Sequence, residues 1–111
     1  MKVKEVLEKC DFEIINLGDE SLEISGVFCC DLLSIVMGKA FRGCAWVTVM
    51  GNINSIAVAT LAEISCIVLC EATSLDEKML FKACQQNVTI LKSKSPVFET
   101  ALEIHKVCSN A

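Results

Sequence analysis

Five short apolar runs alternate with amphipathic stretches of about ten residues, and this alternation constrains the fold more than any other feature of the chain. The runs lie at residues 12–17, 24–30, 44–50, 66–70 and 88–91. Cys66, Ile67, Val68, Leu69 and Cys70 follow one another without a polar residue. Such a run is too short for a helix and lacks the polar alternation of a half-wet strand, so it reads as a strand covered on both faces. Between the runs, apolar residues recur at helical spacing over 3–10, 31–40, 53–64, 75–86 and 96–108. Asp31 stands where a cap for the second helix is needed, and Thr73 and Ser74 open the fourth. Pro96 takes a favoured first helical position. Helices between strands mean crossover connections. The predicted fold is therefore α/β: a single domain over 1–111 with a largely parallel five-stranded sheet and helices on both faces. With 111 residues, 53% of them apolar, the chain has enough material for a core without disulfide staples.

Several function classes fall away. No apolar run approaches the roughly 18 residues that cross a bilayer, and the start, Met1-Lys2-Val3-Lys4-Glu5, is charged at once, unlike a signal peptide. The expectation is a cytoplasmic protein with no membrane partner. A net charge of −4 with interspersed acids and bases offers no basic face for nucleic acid. The eight cysteines (Cys10, Cys29, Cys30, Cys44, Cys66, Cys70, Cys84 and Cys108) sit mostly inside apolar strings and are expected to be thiols. They carry no zinc spacing. Cys66 and Cys70 on one strand would lie roughly 13 Å apart, and the vicinal Cys29 and Cys30 would point to opposite sheet faces. No metal and no cofactor is expected.

The single histidine, His105, falls on the last helix beside Phe98, Ala101 and Cys108, on its apolar side, with no nucleophile paired to it. Neither G-x-x-x-x-G-K-[ST] nor G-x-G-x-x-G occurs, so a kinase or ATPase cradle is missing. The chain is not expected to be an enzyme. Binding chemistry is confined to the turns after the strands, which gather at one edge of a parallel sheet. The candidate ligand residues there are Asp31, Ser34, Asn52, Asn54, Thr73, Ser74, Lys92, Ser93 and Lys94. Free amides at helix starts favour an anion, the two lysines would add to that, and Asp31 would oppose it. Simple helix capping is the competing reading. The helix at 53–64 is apolar around almost its whole circumference. Its outer side is expected to meet a second copy of the chain, with Ile53, Ile56, Val58, Ala59 and Ala62 as candidate interface residues, unless the sheet and the first helix cover both sides.

Residues 24–37 read Ile-Ser-Gly-Val-Phe-Cys-Cys-Asp-Leu-Leu-Ser-Ile-Val-Met. They resemble the pattern V-T-G-G-x-x-S-D-L-L-S-x-V-M of the DRTGG domain family. Gly43, Trp46 and Thr48 are similar to its G-D-x-W-I-T strand, and residues 54–59 to its N-I-V-A-V-A helix start. The Asp-Arg that names the family is absent before Ile24, and its Gly-Gly pair is Gly26-Val27 here. The resemblance implies a regulatory α/β module of the kind found in phosphotransacetylases and CBS-containing pyrophosphatases, and similar to the N-terminal domain of HPr kinase. The expected function is a non-catalytic regulatory, oligomerisation and partner-interaction module. The alternative is a ligand sensor that binds an adenine nucleotide or another phosphate at the strand-to-helix turns.

Overall fold

The computed structural model describes residues 1–71 and 73–109. Helix α1 (Val3–Lys9) is followed by β1 (Glu13–Asn16), β2 (Gly26–Cys29), α2 (Leu33–Lys39), β3 (Cys44–Thr48) and α3 (Ile53–Leu61). Then come β4 (Cys66–Leu69), α4 (Glu77–Gln86), β5 (Ile90–Lys92) and α5 (Val97–Ser109). The five strands form one sheet in the order β1-β5-β4-β3-β2. Strands β3 and β4 occupy the middle and are buried along their whole length, which is why their sequences are apolar without alternation. Trp46 on β3 pairs with Ile67 on β4 and is fully buried.

The helices divide between the two faces. Val36, Ile56, Met79 and Ala83 from α2, α3 and α4 pack with Trp46, Ile67, Leu69 and Ile90 on one side of the sheet. Val3, Val6 and Ile104 from α1 and α5 pack with Ala45, Val47, Val68 and Leu91 on the other. Each set follows the alternation of side chains across a strand. Strands β2 to β5 are laid down in chain order, so the three connecting helices all fall on one face.

The sheet is mixed, not largely parallel as the alternation of elements predicts. Strand β1 runs antiparallel to β5, with Glu13 opposite Lys92 and Ile14 opposite Leu91. The other three pairings are parallel. The cause lies in the link from β1 to β2, residues 17–25, which contains no helix. A parallel return needs a crossover of a dozen or more residues. Here β1 and β2 sit at opposite edges, four strand spacings apart, or about 19 Å at ~4.8 Å each. An extended link of this length reaches roughly 30 Å, enough to pass beneath the sheet but not to climb back over it. The start of α1 fastens the link: the Val3 amide donates to the Leu22 carbonyl at 3.0 Å and the Lys4 amide to Glu20 at 2.9 Å.

The far end of β1 is tied to the turn before β5. Asn16 Nδ2 donates to the Val88 carbonyl at 2.8 Å, and the Gly18 amide donates to Thr89 Oγ1 at 2.9 Å. Gly18 lies so close to the backbone of Asn87 that a Cβ would overlap its carbonyl. Gly18→Ala is therefore expected to destabilise the fold by about 1–3 kcal/mol, read as a lower denaturant midpoint. An unchanged midpoint would mean that β1 is not held here.

All eight cysteines are free thiols. Burial pushes the Cys66 thiol up to about 12 and Cys44 to about 11; Cys10 reaches about 12 through burial and then the neighbouring Glu103 carboxylate. These thiols ionise less readily in the folded chain than in the unfolded one. The unfolded chain thus releases more protons above pH 9, and stability should fall as pH rises from 9 towards 12. At pH 8 an alkylating reagent should modify the exposed Cys84 and leave Cys10, Cys44 and Cys66 untouched, while denatured protein should titrate close to eight groups. A shortfall in denaturant would reveal bridges.

Candidate functional site

Parallel strands β2 to β5 end at one edge of the sheet, and the antiparallel β1 begins there. This edge collects every turn that the sequence marks as a candidate binding element. At the β2 end, Asp31 does not cap α2. The N-cap is Leu32, which makes no side-chain bond. The Asp31 carboxylate instead reaches across to the neighbouring strand, where Oδ1 accepts from the Thr48 hydroxyl at 2.7 Å and the Val49 amide at 3.1 Å. Thr48 Oγ1 in turn accepts from the Met50 amide at 3.1 Å. The Trp46 indole N–H donates to the Cys30 carbonyl at 2.8 Å. A charged acceptor with two donors beside it gains more here than at a helix start already open to water. The β2 and β3 turns are thereby stitched together. Ser34 lies exposed on α2.

The next turns are occupied in the same way. Asn52 caps α3, its Oδ1 accepting from the Asn54 amide at 2.9 Å. Ser55, a buried hydroxyl, donates to the Met50 carbonyl at 2.8 Å. Thr73 Oγ1 donates to the Cys70 carbonyl at 2.7 Å. Thr73 and Ser74 do not open α4: the helix begins at Glu77 and its cap is Asp76, which accepts from the Lys78 amide at 2.8 Å. An Asp directly before a helical run is an ordinary capping signal, so Asp76 was legible in the sequence. Ala72 in the same predicted turn lies outside the described residues. A Cβ on Gly51 would stand 3.1 Å from the Ser74 carbonyl oxygen, so the β3 and β4 turns press against each other.

The β5 turn is different. Ser93 is buried and shares a 2.8 Å hydrogen bond with Thr100 on α5, while its Oγ accepts from the Ser95 amide at 3.1 Å. Lys92, Ser93, Lys94 and Ser95 then line a depression of about 550 Å³, with Asp11, Phe12, Glu13 and Glu103 on its other walls. Three of the nine candidate ligand residues come together here. The three carboxylates opposite the two ammonium groups escaped the sequence reading, because only an antiparallel β1 brings Asp11 and Glu13 to this edge. Their presence leaves the depression without the positive excess that an anion site needs.

The remaining candidates scatter. Of the five residues assigned to an interface on α3, Ile56, Val58 and Ala59 are buried within the chain itself, and Ile53 and Ala62 keep partial access. Helix α3 lies between α2 and α4 and over the sheet, which cover Ser55, Ile56, Val58 and Ala59, while Ile53, Ala57 and Leu61 on its outer side stay exposed, Leu61 at 70%. His105 is exposed rather than packed on the apolar side of α5, with Nε2 3.5 Å from the Ser109 hydroxyl. Among the described residues, no cluster of three or more His, Cys, Asp or Glu side chains is arranged to hold a metal ion. No helix among them is long and apolar enough to cross a membrane.

No protein-family model matches this sequence, and no curated protein matches it. Among solved structures, the chain is similar to the CBS and DRTGG domains of the regulatory region of a Clostridium perfringens pyrophosphatase, crystallised with its activator, diadenosine tetraphosphate. The TM-score is 0.78 at 12% sequence identity, covering 96% of this chain and 46% of the other. The likeness is one of fold, and this chain spans less than half the length of the other.

Proposed function

We propose that the chain is a non-catalytic regulatory module that acts through contacts with protein surfaces, and that the polar residues at its strand ends are structural. The observation that supports this reading best is how those residues spend their hydrogen-bonding capacity. Asp31, Thr48, Asn52, Thr73 and Ser93 are each bonded to groups of the chain itself. The order of the parallel strands also never reverses, so the sheet has no switch point, the place where α/β folds open a crevice for a ligand. The related pyrophosphatase region is named as regulatory, which agrees with a module that biases a neighbour rather than one that performs chemistry.

The second reading, a sensor for an adenine nucleotide or another small phosphate, rests on one feature. The depression holding Lys92, Ser93 and Lys94 is large enough for a small ligand, and the similar solved structure was crystallised with a dinucleoside polyphosphate. Thermal melts with about 1 mM phosphate, ATP or diadenosine tetraphosphate separate the two, because a ligand at 100 times its Kd adds about 2.7 kcal/mol to the folded state. No shift is expected. A rise of several degrees that disappears in Lys92→Ala/Lys94→Ala would overturn the first reading in favour of the second.

A structural role for Asp31 makes its own prediction. Asp31→Ala strands the Thr48 hydroxyl and the Val49 amide at the sheet edge, and should cost about 1–3 kcal/mol in denaturant unfolding. Asp31→Asn, which keeps an acceptor oxygen, should recover part of that. The loss should be the same with and without nucleotide. A loss that appears only in the presence of nucleotide would mark Asp31 as a ligand contact.

A further inference from the structure

The two edges of the sheet are not alike. Strand β1 is guarded: its register shifts between Ile14 and Asn16, and it carries an exposed Glu13. Breaks and charges of this kind are what keep free edges from pairing with other chains. Strand β2 has neither. Gly26, Val27, Phe28 and Cys29 pair with β3 in unbroken register, contain no charge and no proline, and leave one side of their backbone without a strand.

Both layers flanking β2 turn apolar side chains outward. Helix α2 is the outermost of three and has α3 on one flank only; at and around it, Leu32, Ile35, Met37 and Phe41 are exposed. On the opposite face α5 packs over β2 and β3. One side of α5 is fixed by Thr100, bonded to Ser93 at the end of β5. Phe98 and Leu102 each lie two residues from Thr100, about 200° around the helix, and so stand on the outer side of α5, the helix that packs over β2. Phe98 is 70% exposed.

We infer that β2 and these flanks form a self-complementary surface for a second copy of this chain, with the two β2 strands pairing antiparallel across a twofold axis. The inference rests on the reading of the chain as an interaction module and names the partner. The six flanking side chains are between 37% and 70% exposed. At about 200 Å² for a large side chain they present roughly 600 Å² in all, divided between the two faces that flank β2. With the strand itself the surface approaches the ~800 Å² per partner of a stable interface. Antiparallel pairing of a strand with itself satisfies the twofold symmetry that most homo-oligomers adopt. An axis between Val27 and Phe28 sets Val27 against the partner's Phe28. The outcome is a continuous ten-stranded sheet with α2 beside α2 on one face and α5 beside α5 on the other.

Light scattering behind size exclusion tests this at high micromolar concentration. The native chain should elute at twice its 12.1 kDa. Leu32→Glu/Phe98→Glu, at two exposed positions, should elute at half that mass with unchanged far-ultraviolet circular dichroism. Phe81→Glu, equally exposed but on α4, should remain dimeric. A monomeric native chain overturns the inference, and so does a dimer that Phe81→Glu splits and the β2-edge variant leaves intact. Should the edge variant unfold, hydrogen exchange of native protein decides instead: protection at residues 26–29 must rise with protein concentration, and constant protection refutes the pairing. A monomeric chain that still ignores nucleotides would reject this partner and leave the regulatory reading standing.

Discussion

Strands β2 to β5 follow one another across the sheet in chain order, and most of the molecule depends on that constraint. Each strand is parallel to the last, so each connecting helix must cross over with the same hand. Helices α2, α3 and α4 therefore stack side by side on one face, and the opposite face is left for α1 and α5. The middle helix of a stack of three is covered by the sheet below and a helix on each flank. Such a helix can be apolar on three sides within one molecule, which accounts for Ile56, Val58 and Ala59 of α3 but not for Ile53 and Leu61, which stay exposed on its outer side. The same constraint abolishes any reversal of strand order, and with it the crevice that larger α/β folds use for nucleotides.

The second consequence is electrostatic. A first strand parallel to the rest would start at the opposite end of the sheet, leaving Lys92 and Lys94 opposed by Glu103 alone at the mouth of the β5 turn. The short link over residues 17–25 forces β1 the other way. Asp11 and Glu13 then stand beside the lysines, and Glu103 joins them from α5. One connection too short for a helix thus converts a basic corner into a balanced one. Strand direction, a property of topology, sets the charge seen by any ligand approaching this edge.

The order of elements was legible in the sequence because each rests on local signals: continuous apolar runs for β3 and β4, helical periodicity for α4 and α5, and a capping Asn at the start of α3. The direction of β1 was not, since its own residues would serve either orientation. The information lay in the missing helix after it. Asp31 illustrates the same limit at the scale of one side chain. Its position before α2 suggests a cap, but the donors it uses, the Thr48 hydroxyl and the Val49 amide, lie 17 and 18 residues away on the next strand. Propensity describes what a residue can do with its neighbours in the chain and is silent on neighbours brought by the sheet. Resemblance to the DRTGG pattern conveyed the fold, and a solved regulatory region at 12% identity shares it. Similarity so remote carries the packing of strands and helices, which many sequences satisfy, and not the identity of groups at a site.

An open sheet has two edges, and their chemistry differs according to what the rest of the chain requires of each. Strand β1 is held by side chains: Asn16 and Gly18 bind the turn before β5, and the irregular register that this geometry imposes also spoils the edge as a template. Strand β2 carries no such duty. Its fastenings lie beyond its ends, at Ser25, whose hydroxyl donates to the Arg42 carbonyl at 2.7 Å, and at Cys30, whose carbonyl accepts from Trp46. Between them the strand stays straight and uncharged. Phe41 closes over Gly26, where an added Cβ would meet the ring at 3.1 Å, and packs edge-on against Phe28. Glycine at that position makes room for the edge of the Phe41 ring against the last strand, extending the apolar surface to the margin of the sheet. The feature that completes the core on this side is thus the same one that leaves the edge open.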